Sequence, residues 1–132
     1  MPVRRFRFYS TAAKAPVVKD ELLALGAPAA ATLASAMKRF ERDESFSREV
    51  KPLGARVGNC LLHEIPATLD GIEYRAIFAP VSKGGDIVLA LTAIHKQQQQ
   101  LPKRDLDRAK RRRSVSISKQ ARTSRPPTRS AR

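Results

Sequence analysis

Three apolar runs separated by two turn signals constrain the fold of this chain more than any other feature of its sequence. The runs cover Asn59–Ile65, Ile72–Pro80 and Ile87–Ile94. Asp70-Gly71 separates the first two and is typical of a type I′ hairpin turn, because both central residues of that turn need positive φ. A Lys-Gly-Gly-Asp turn at residues 83–86 follows the second run. The pattern predicts an antiparallel meander whose third strand, almost entirely apolar, is buried on both faces.

Two stripes of apolar residues at helical spacing precede the meander and predict two helices. They consist of Val18, Leu22 and Leu25, and of Leu33, Met37 and Phe40. The first helix lies between Pro16 and Gly26, and the second begins at Pro28. Val3–Ser10 is predicted as a short first strand, and Pro102–Arg113 as a charged helix. We therefore expect an α+β fold in which two N-terminal helices pack on a small antiparallel β-sheet, in the order β-α-α-β-β-β-α.

The positive charge is concentrated towards the C-terminal end. The chain has 132 residues, with 26 Lys and Arg against 12 Asp and Glu and a formal net charge of +14. Residues 103–132 hold 12 basic and 2 acidic residues (net +10), and residues 1–102 hold 14 and 10 (net +4). We predict one domain over residues 1–113 and a basic, disordered arm over residues 114–132. The arm either binds RNA phosphates or is a solubilising tail.

The composition excludes several classes of protein. One cysteine, Cys60, allows no disulfide framework, and with two scattered histidines it makes no zinc-binding pattern. There is no apolar run of about 18 residues that could span a membrane, and no P-loop, nucleophile elbow or HExxH motif. We expect a cytoplasmic protein without metal or cofactor, although the Arg-rich residues 1–14 are also compatible with a transit peptide. So basic a chain favours a polyanionic partner such as nucleic acid.

Arg75 is the first candidate for chemistry. Alternation along the predicted strand places Tyr74 and Phe78 on one face, and Arg75 with Glu73 on the other. A guanidinium held on a rigid strand suits phosphate binding because its planar fork matches the phosphate oxygens. The competing interpretation is a cross-strand ion pair with Glu64 or Glu73.

Two histidines and a lysine lie near the ends of predicted strands. His63 and His95 either transfer protons near neutral pH or are satisfied structural residues. Lys96 follows the last strand at the rim of the sheet. Further candidates for contact with RNA phosphates are Lys51, Arg56, Lys83, Arg111, Arg112 and Arg113. RNA cleavage needs only a base, an acid and cations that stabilise the phosphate, because the 2′-hydroxyl of RNA supplies the nucleophile.

Five segments occur in a characteristic order along the chain. They are Val50–Leu53, Leu62–Ile65, Tyr74–Phe78, Leu89–Lys96, and Pro102 followed by a basic helix with Arg108–Arg112. The last two make a hydrophobic strand that ends in lysine, a Gln-rich link, a proline and a helix containing Ala-x-x-Arg. Together these segments resemble the HigB-like branch of the RelE/ParE toxin superfamily, over about residues 5–113.

The resemblance implies a fold similar to that of compact microbial ribonucleases and a bacterial or phage-encoded type II toxin. Such a toxin cuts messenger RNA, typically on the ribosome, and needs no metal. Arg75 matches the family's strand arginine at the scissile phosphate, and Lys96 matches its first lysine after the last strand. We expect His95 or His63 to act as acid or base. The implied partners are mRNA on the ribosome and a cognate antitoxin, often a helix-turn-helix protein, with no membrane.

The chain departs from the family pattern at three basic positions. Pro66 stands where relatives carry an arginine, and Gln97 and Gln100 stand where they carry lysines. Either the histidines compensate for these losses, or the activity is weak, or the domain binds nucleic acid or the ribosome without cutting. Inhibition of DNA gyrase, as in the related ParE branch, is a further alternative, less well matched by the Gln-rich link and proline.

Overall fold

A five-stranded sheet with helices on both faces is the framework of the fold. The computed structural model describes residues 4–42, 50–57, 60–81, 86–96 and 102–123. In chain order the elements are β1 (Arg5–Phe8), α1 (Val17–Ala24), α2 (Ala27–Glu41), β2 (Lys51–Val57), β3 (Cys60–Leu69), β4 (Ile72–Pro80), β5 (Ile87–Lys96) and α3 (Lys103–Thr123). The strands lie in the order β1-β5-β4-β3-β2.

The hairpin of β3 and β4 forms where the sequence predicts it. Asp70 and Gly71 both have positive φ, +52° and +78°, which is the backbone conformation that the predicted turn requires. β4 pairs with β3 on one side and with β5 on the other, antiparallel in both cases. The three predicted strands of the meander are thus confirmed, and most of the second predicted turn, residues 82–85, lies outside the described residues.

The sheet is mixed, which corrects the prediction of an antiparallel sheet. β1 lies beside β5 and pairs with it in parallel, Arg5 opposite Ile87 and Phe8 opposite Ala90. This partner is about 80 residues away along the chain, so no local turn signal announces the pairing. With β1 on one side and β4 on the other, β5 is an interior strand, and helices cover both of its faces.

The predicted element order lacked β2, which makes the observed order β-α-α-β-β-β-β-α. Pro52 and Gly54 explain why the sequence did not predict this strand, since both residues are disfavoured in strand interiors. They are accommodated because β2 is an edge strand and its register with β3 shifts between Pro52 and Arg56. Gly54 has φ +72° at this irregularity, a value that L side chains rarely adopt.

α3 begins near the predicted residue and continues to Thr123, ten residues beyond the predicted end at Arg113. The predicted start of the disordered arm at Ser114 therefore falls inside a helix. Of the ten added residues, Lys119–Arg122 are good helix formers, and a helix already begun by packing extends at little cost per residue. The division into a domain and an arm stays a prediction, and residues 124–132 lie outside the described part of the chain.

Each face of the sheet has its own apolar cluster. α1 and α2 cover one face, called here the α1/α2 face, whose cluster includes Leu33, Met37, Ile65, Ala76, Phe78 and Ala90. α3 covers part of the other, called here the α3 face, where the cluster consists of Leu62, Ile77, Ala79, Leu89, Leu91 and Ala109. Within the described residues, no helix is both long and apolar enough to cross a membrane.

Candidate functional site

Arg75 projects from the α3 face of β4, as alternation along the strand predicts. Its neighbour Tyr74 belongs to the cluster on the α1/α2 face, and Ile77, two residues further on, belongs to the cluster on the α3 face. In the register Arg75 lies between Pro66 of β3 and Ile94 of β5. The guanidinium is therefore attached to an interior strand with hydrogen-bonded neighbours on both sides, which makes its backbone rigid.

Protein groups engage the guanidinium of Arg75, which is only 8 % exposed. Its Nη2 forms an ion pair with Glu73, its Nη1 donates a hydrogen bond to the Tyr74 carbonyl (3.1 Å), and its Nε lies 3.4 Å from Oε1 of Glu64. The cross-strand ion pair with Glu64 is thus confirmed. Two carboxylates offset the cost of burying one cation, and the buried Glu64 depends on Arg75 in return.

Glu73 is the solvent-facing member of this charge cluster. Its side chain is 50 % exposed, against 7 % for that of Glu64. An exposed carboxylate beside a fixed cation can accept a proton from a ligand that reaches the cation. The sequence pattern identified Glu73 only as an ion-pair partner, because alternation fixes the face of a residue but not its access to solvent.

Two of the predicted lysines occupy register positions next to the same carboxylates. Lys96, the last residue of β5, lies opposite Glu73, and Lys51, the first residue of β2, lies opposite Glu64. The predicted cationic positions Arg75, Lys96 and Lys51 thus lie on β4, β5 and β2, and of the two lysines only Lys96 is on a strand that pairs with the strand of Arg75.

The two predicted histidines lie on the α1/α2 face, so the sheet separates them from Arg75. His63 stacks on Phe78 with ring centroids 5.5 Å apart, and its buried Nδ1 has no hydrogen-bond partner in the described structure. Burial lowers the pKa of His63 below its usual value, against a smaller opposing effect of a backbone hydrogen bond at Leu61. His95 is exposed and lies 5.4 Å from Tyr74. Neither histidine can reach a phosphate held at Arg75 from this position.

The predicted phosphate-binding arginines of α3 fall into two groups. Arg111 is exposed. Arg112 donates to the Leu91 carbonyl (2.9 Å), and Arg113, 6 % exposed, donates to the Pro80 carbonyl (3.0 Å). Helical spacing turns Arg112 and Arg113 towards the sheet, where they satisfy backbone acceptors.

The remaining predicted cations are scattered. Arg56 is exposed on β2, opposite Leu61 of β3, and Lys83 lies outside the described residues. Gln97 and Gln100, two of the three departures from the resembled pattern, also lie outside them. Pro66, the third departure, lines an open groove of about 550 Å³ between α2 and β3, together with Thr32, Ser35 and Arg39.

Glu21 of α1 forms a second charge cluster that the sequence pattern did not indicate. Its carboxylate accepts hydrogen bonds from the Thr92 hydroxyl (2.7 Å) and the Ala93 N–H (3.3 Å), and forms an ion pair with Arg112 (2.8 Å). Arg108 donates to the same hydroxyl at 3.2 Å. β1 ends before this stretch of β5, so Glu21 and Arg112 satisfy the backbone groups that β1 leaves unpaired.

Comparison with known proteins identifies one family model that matches residues 20–114, described as phage derived protein Gp49-like (DUF891). The matched segment begins within α1 and ends within α3, and it contains both charge clusters. β1 lies outside it. A search of curated proteins finds no match to the chain.

Proposed function

Because the chain belongs to the family of phage-derived Gp49-like proteins, a RelE/HigB-like toxin family of toxin–antitoxin systems, we propose that it is a toxin that cleaves messenger RNA. The family implies an antitoxin as partner. The finer features of the proposal are endoribonuclease activity, action on mRNA at the ribosome, and neutralisation by a helix-turn-helix antitoxin.

The observation that carries this proposal is the arrangement of charge around Arg75. A guanidinium on an interior strand lies beside one buried and one exposed carboxylate, and Lys51 and Lys96 occupy adjoining register positions. Phosphoryl transfer within RNA requires a base near the 2′-hydroxyl and positive charge near the phosphate. The α3 face of the sheet offers both kinds of group.

The proposed reaction begins when a phosphate of the RNA displaces Glu73 from Arg75. Glu64, which is buried, keeps the guanidinium in place while the exposed Glu73 turns aside. Glu73 then takes the proton of the 2′-hydroxyl, whose oxygen attacks the phosphorus. The bond to the 5′-oxygen breaks, that oxygen takes a proton from solvent, and the products carry a 2′,3′-cyclic phosphate and a 5′-hydroxyl. Arg75 and Lys96 stabilise the added negative charge on the phosphate.

The histidines have no part in this proposal, because they lie on the opposite face of the sheet from Arg75. Glu73 takes the role of the base that the sequence pattern suggested for His63 or His95. A carboxylate suits this role because, like an imidazole, it can take up a proton and release it again.

The proposal is tested by inducible expression in a bacterial host, with growth measured alongside primer-extension mapping of cellular transcripts. We expect growth arrest with new 5′ ends inside coding regions, and loss of both in Glu73→Gln. Asp70→Asn, which changes another exposed carboxylate at the β3–β4 turn, is the matched control and retains cleavage. Equal cleavage by Glu73→Gln and the unsubstituted chain would exclude Glu73 as the base.

A second candidate function is binding to RNA or the ribosome without cleavage. It is favoured by the engagement of Arg75 with three protein groups, Glu64, Glu73 and the Tyr74 carbonyl, which is typical of a structural arginine. Growth arrest without new transcript ends would support this function over cleavage.

A further inference from the structure

The outer strand β1 carries two exposed arginines on the α3 face. Phe6 and Phe8 alternate with Arg5 and Arg7, and both phenylalanines pack against the cluster on the α1/α2 face. Arg5 and Arg7 therefore project from the opposite face, about 7 Å apart along the strand. Arg7 lies opposite Leu89 in the register, and Leu89 packs in one cluster with Ala109 of α3. α3 thus lies over the strand next to these arginines.

α3 presents two more exposed arginines on its outer surface, above the flank that faces β1. Arg112 identifies this flank, because its guanidinium lies 5.5 Å from the ring of Tyr9, which directly follows β1. Arg108 lies four residues before Arg112 on the same flank, where it contacts Thr92. Arg104 and Arg111, both exposed, lie beside Arg108 at spacings of four and three residues. They are about 10 Å apart along the helix axis.

Arg5, Arg7, Arg104 and Arg111 are thus four exposed cations on the same side of the sheet, called here the arginine track. Arg108 contacts the second half of β5, and Arg5 pairs with the first residue of β5. The track thus begins beside the half of β5 that leads to Lys96 and extends along the sheet to its opposite end.

The four arginines of the track lack the partners that their neighbours have. Glu21 forms an ion pair with Arg112, and Asp105 forms one with Arg108. Among the described residues, none of the four track arginines has a side-chain hydrogen bond or ion pair. Two carboxylates lie near the track: Asp86, exposed next to Arg5 in the sheet, and Asp107 of α3, three residues after Arg104 and four before Arg111. Exposed cations on one side of a protein interact favourably with a chain of phosphates, because binding releases the counterions of the nucleic acid.

We propose that the arginine track binds the phosphate backbone of single-stranded RNA and guides it along the sheet. This inference rests on the proposed function, since it makes the RNA the same strand that reaches Arg75. β1 lies outside the segment matched by the family model. A flexible single strand suits the site, because a track of cations follows a backbone without reading its sequence.

The test measures binding of a fluorescent single-stranded RNA with 2′-O-methyl groups, which this chemistry cannot cleave, to the full chain at several salt concentrations. The track variants are Arg5→Glu with Arg7→Glu, and Arg104→Glu with Arg111→Glu. Lys38→Glu with Arg42→Glu is the matched control, since it makes the same change of charge at exposed residues of the α2 side. Circular dichroism and thermal melting establish that each variant is folded.

We expect each track variant to bind the RNA at least about tenfold more weakly at moderate salt, and to lower the slope of log K against log salt by about 0.7 per lost phosphate contact. The control retains the affinity and slope of the unsubstituted chain. Arg5→Gln with Arg7→Gln, a milder change, loses affinity in the same direction and serves where the charge reversal fails to fold.

The proposal is wrong if the unsubstituted chain does not bind the RNA, or if the control loses as much affinity as the track variants. It is also wrong if the track variants keep RNA binding and lose binding to a co-expressed partner protein, which would make the track a protein-docking surface. Track-dependent RNA binding by a chain that produces no transcript cuts would support the track and contradict the proposed endoribonuclease. Transcript cuts by the unsubstituted chain, together with RNA binding that the track substitutions leave unchanged, would support the proposed endoribonuclease and contradict the track.

Discussion

The two faces of the sheet bury different kinds of side chain. On the α1/α2 face, side chains of Phe6, Phe40 and Phe78 meet with ring centroids 5.0–5.8 Å apart, next to small and aliphatic residues of α2. On the α3 face, an apolar centre is bordered by buried charges, with Arg75 and Glu64 at one end and Arg113 at the other. The α1/α2 face therefore supplies stability, whereas the α3 face holds charged groups in fixed positions.

Arg75 and Arg112 of the α3 face lie against carboxylate partners, whereas Arg113 donates to the Pro80 carbonyl and its Nη1 has no hydrogen-bond partner among the described residues. Arg75 is held by Glu64 and Glu73, and Arg112 by Glu21 and a backbone carbonyl. A buried pair is costly to form and more costly to break, because the remaining charge is then left without compensation. The apolar face has no such dependence between individual residues, and its stability is distributed over many contacts. Substitutions on the two faces should therefore differ in whether a second substitution can restore the lost stability.

The largest effect is expected from truncation on the α1/α2 face. Phe78→Ala removes the ring at the centre of the aromatic cluster, which is 2 % exposed, and should lower the free energy of unfolding by about 4 kcal/mol. Urea denaturation followed by circular dichroism measures this. Ile72→Ala on the same strand is the control, since Ile72 is 40 % exposed and should lose far less. Equal losses for the two variants would contradict the assignment of Phe78 to a packed core.

A somewhat smaller loss is expected when the buried charge cluster is broken. Arg75→Met leaves Glu64 buried without its cation and should lower the free energy of unfolding by about 3 kcal/mol. This is the low end of the usual cost of breaking a buried ion pair, because Glu73 remains solvated. Adding Glu64→Gln to the same chain should restore more than half of that loss, because no buried charge is then left unpaired. Urea denaturation of the single and double variants checks both values. A double variant as unstable as Arg75→Met would show that the ion pair does not govern this region.

The Glu21 cluster should contribute less, because its members are partly exposed. Glu21→Ala removes the acceptor of the Thr92 hydroxyl and the partner of Arg112, and should cost about 2 kcal/mol. Asp20→Ala, a neighbouring exposed carboxylate on the same helix, is the control. Hydrogen exchange should also become faster at Ala93, whose N–H donates to Glu21. Unchanged exchange at Ala93 in Glu21→Ala would contradict the role of Glu21 at the edge of β5.

The smallest effect is a pH dependence of stability that arises at His63, on the α1/α2 face. Burial lowers the pKa of His63 in the folded chain below its usual 6.5, so the unfolded chain binds the proton more readily. Stability due to neutral His63 is complete above pH 6.5, falls as the pH drops below that value, and levels off below the folded pKa. Thermal melting between pH 5 and pH 7 should show this decline, and His63→Gln should reduce it. His95→Gln is the control. A decline that persists in His63→Gln but vanishes in His95→Gln would show that it arises at His95, and would contradict the prediction.

Local sequence determined the parts of this fold that depend on neighbouring residues. Asp70-Gly71 specified the hairpin because the turn needs two residues with positive φ, and alternation along β4 placed Arg75 opposite Tyr74 and Phe78. The helices α1 and α2 followed from their apolar spacing. The same local rules could not place β2, since Pro52 and Gly54 argue against a strand unless it lies at an edge.

Tertiary structure decided everything that depends on which distant segments meet. The parallel pairing of β1 with β5, the separation of His63 and His95 from Arg75, and the placement of Lys51 opposite Glu64 and of Lys96 opposite Glu73 all follow from strand order and register. A sequence states which residues share a face of one strand, because that depends on backbone geometry alone. Which strands become neighbours depends on the burial of a whole sheet between helices, and only the folded chain defines it.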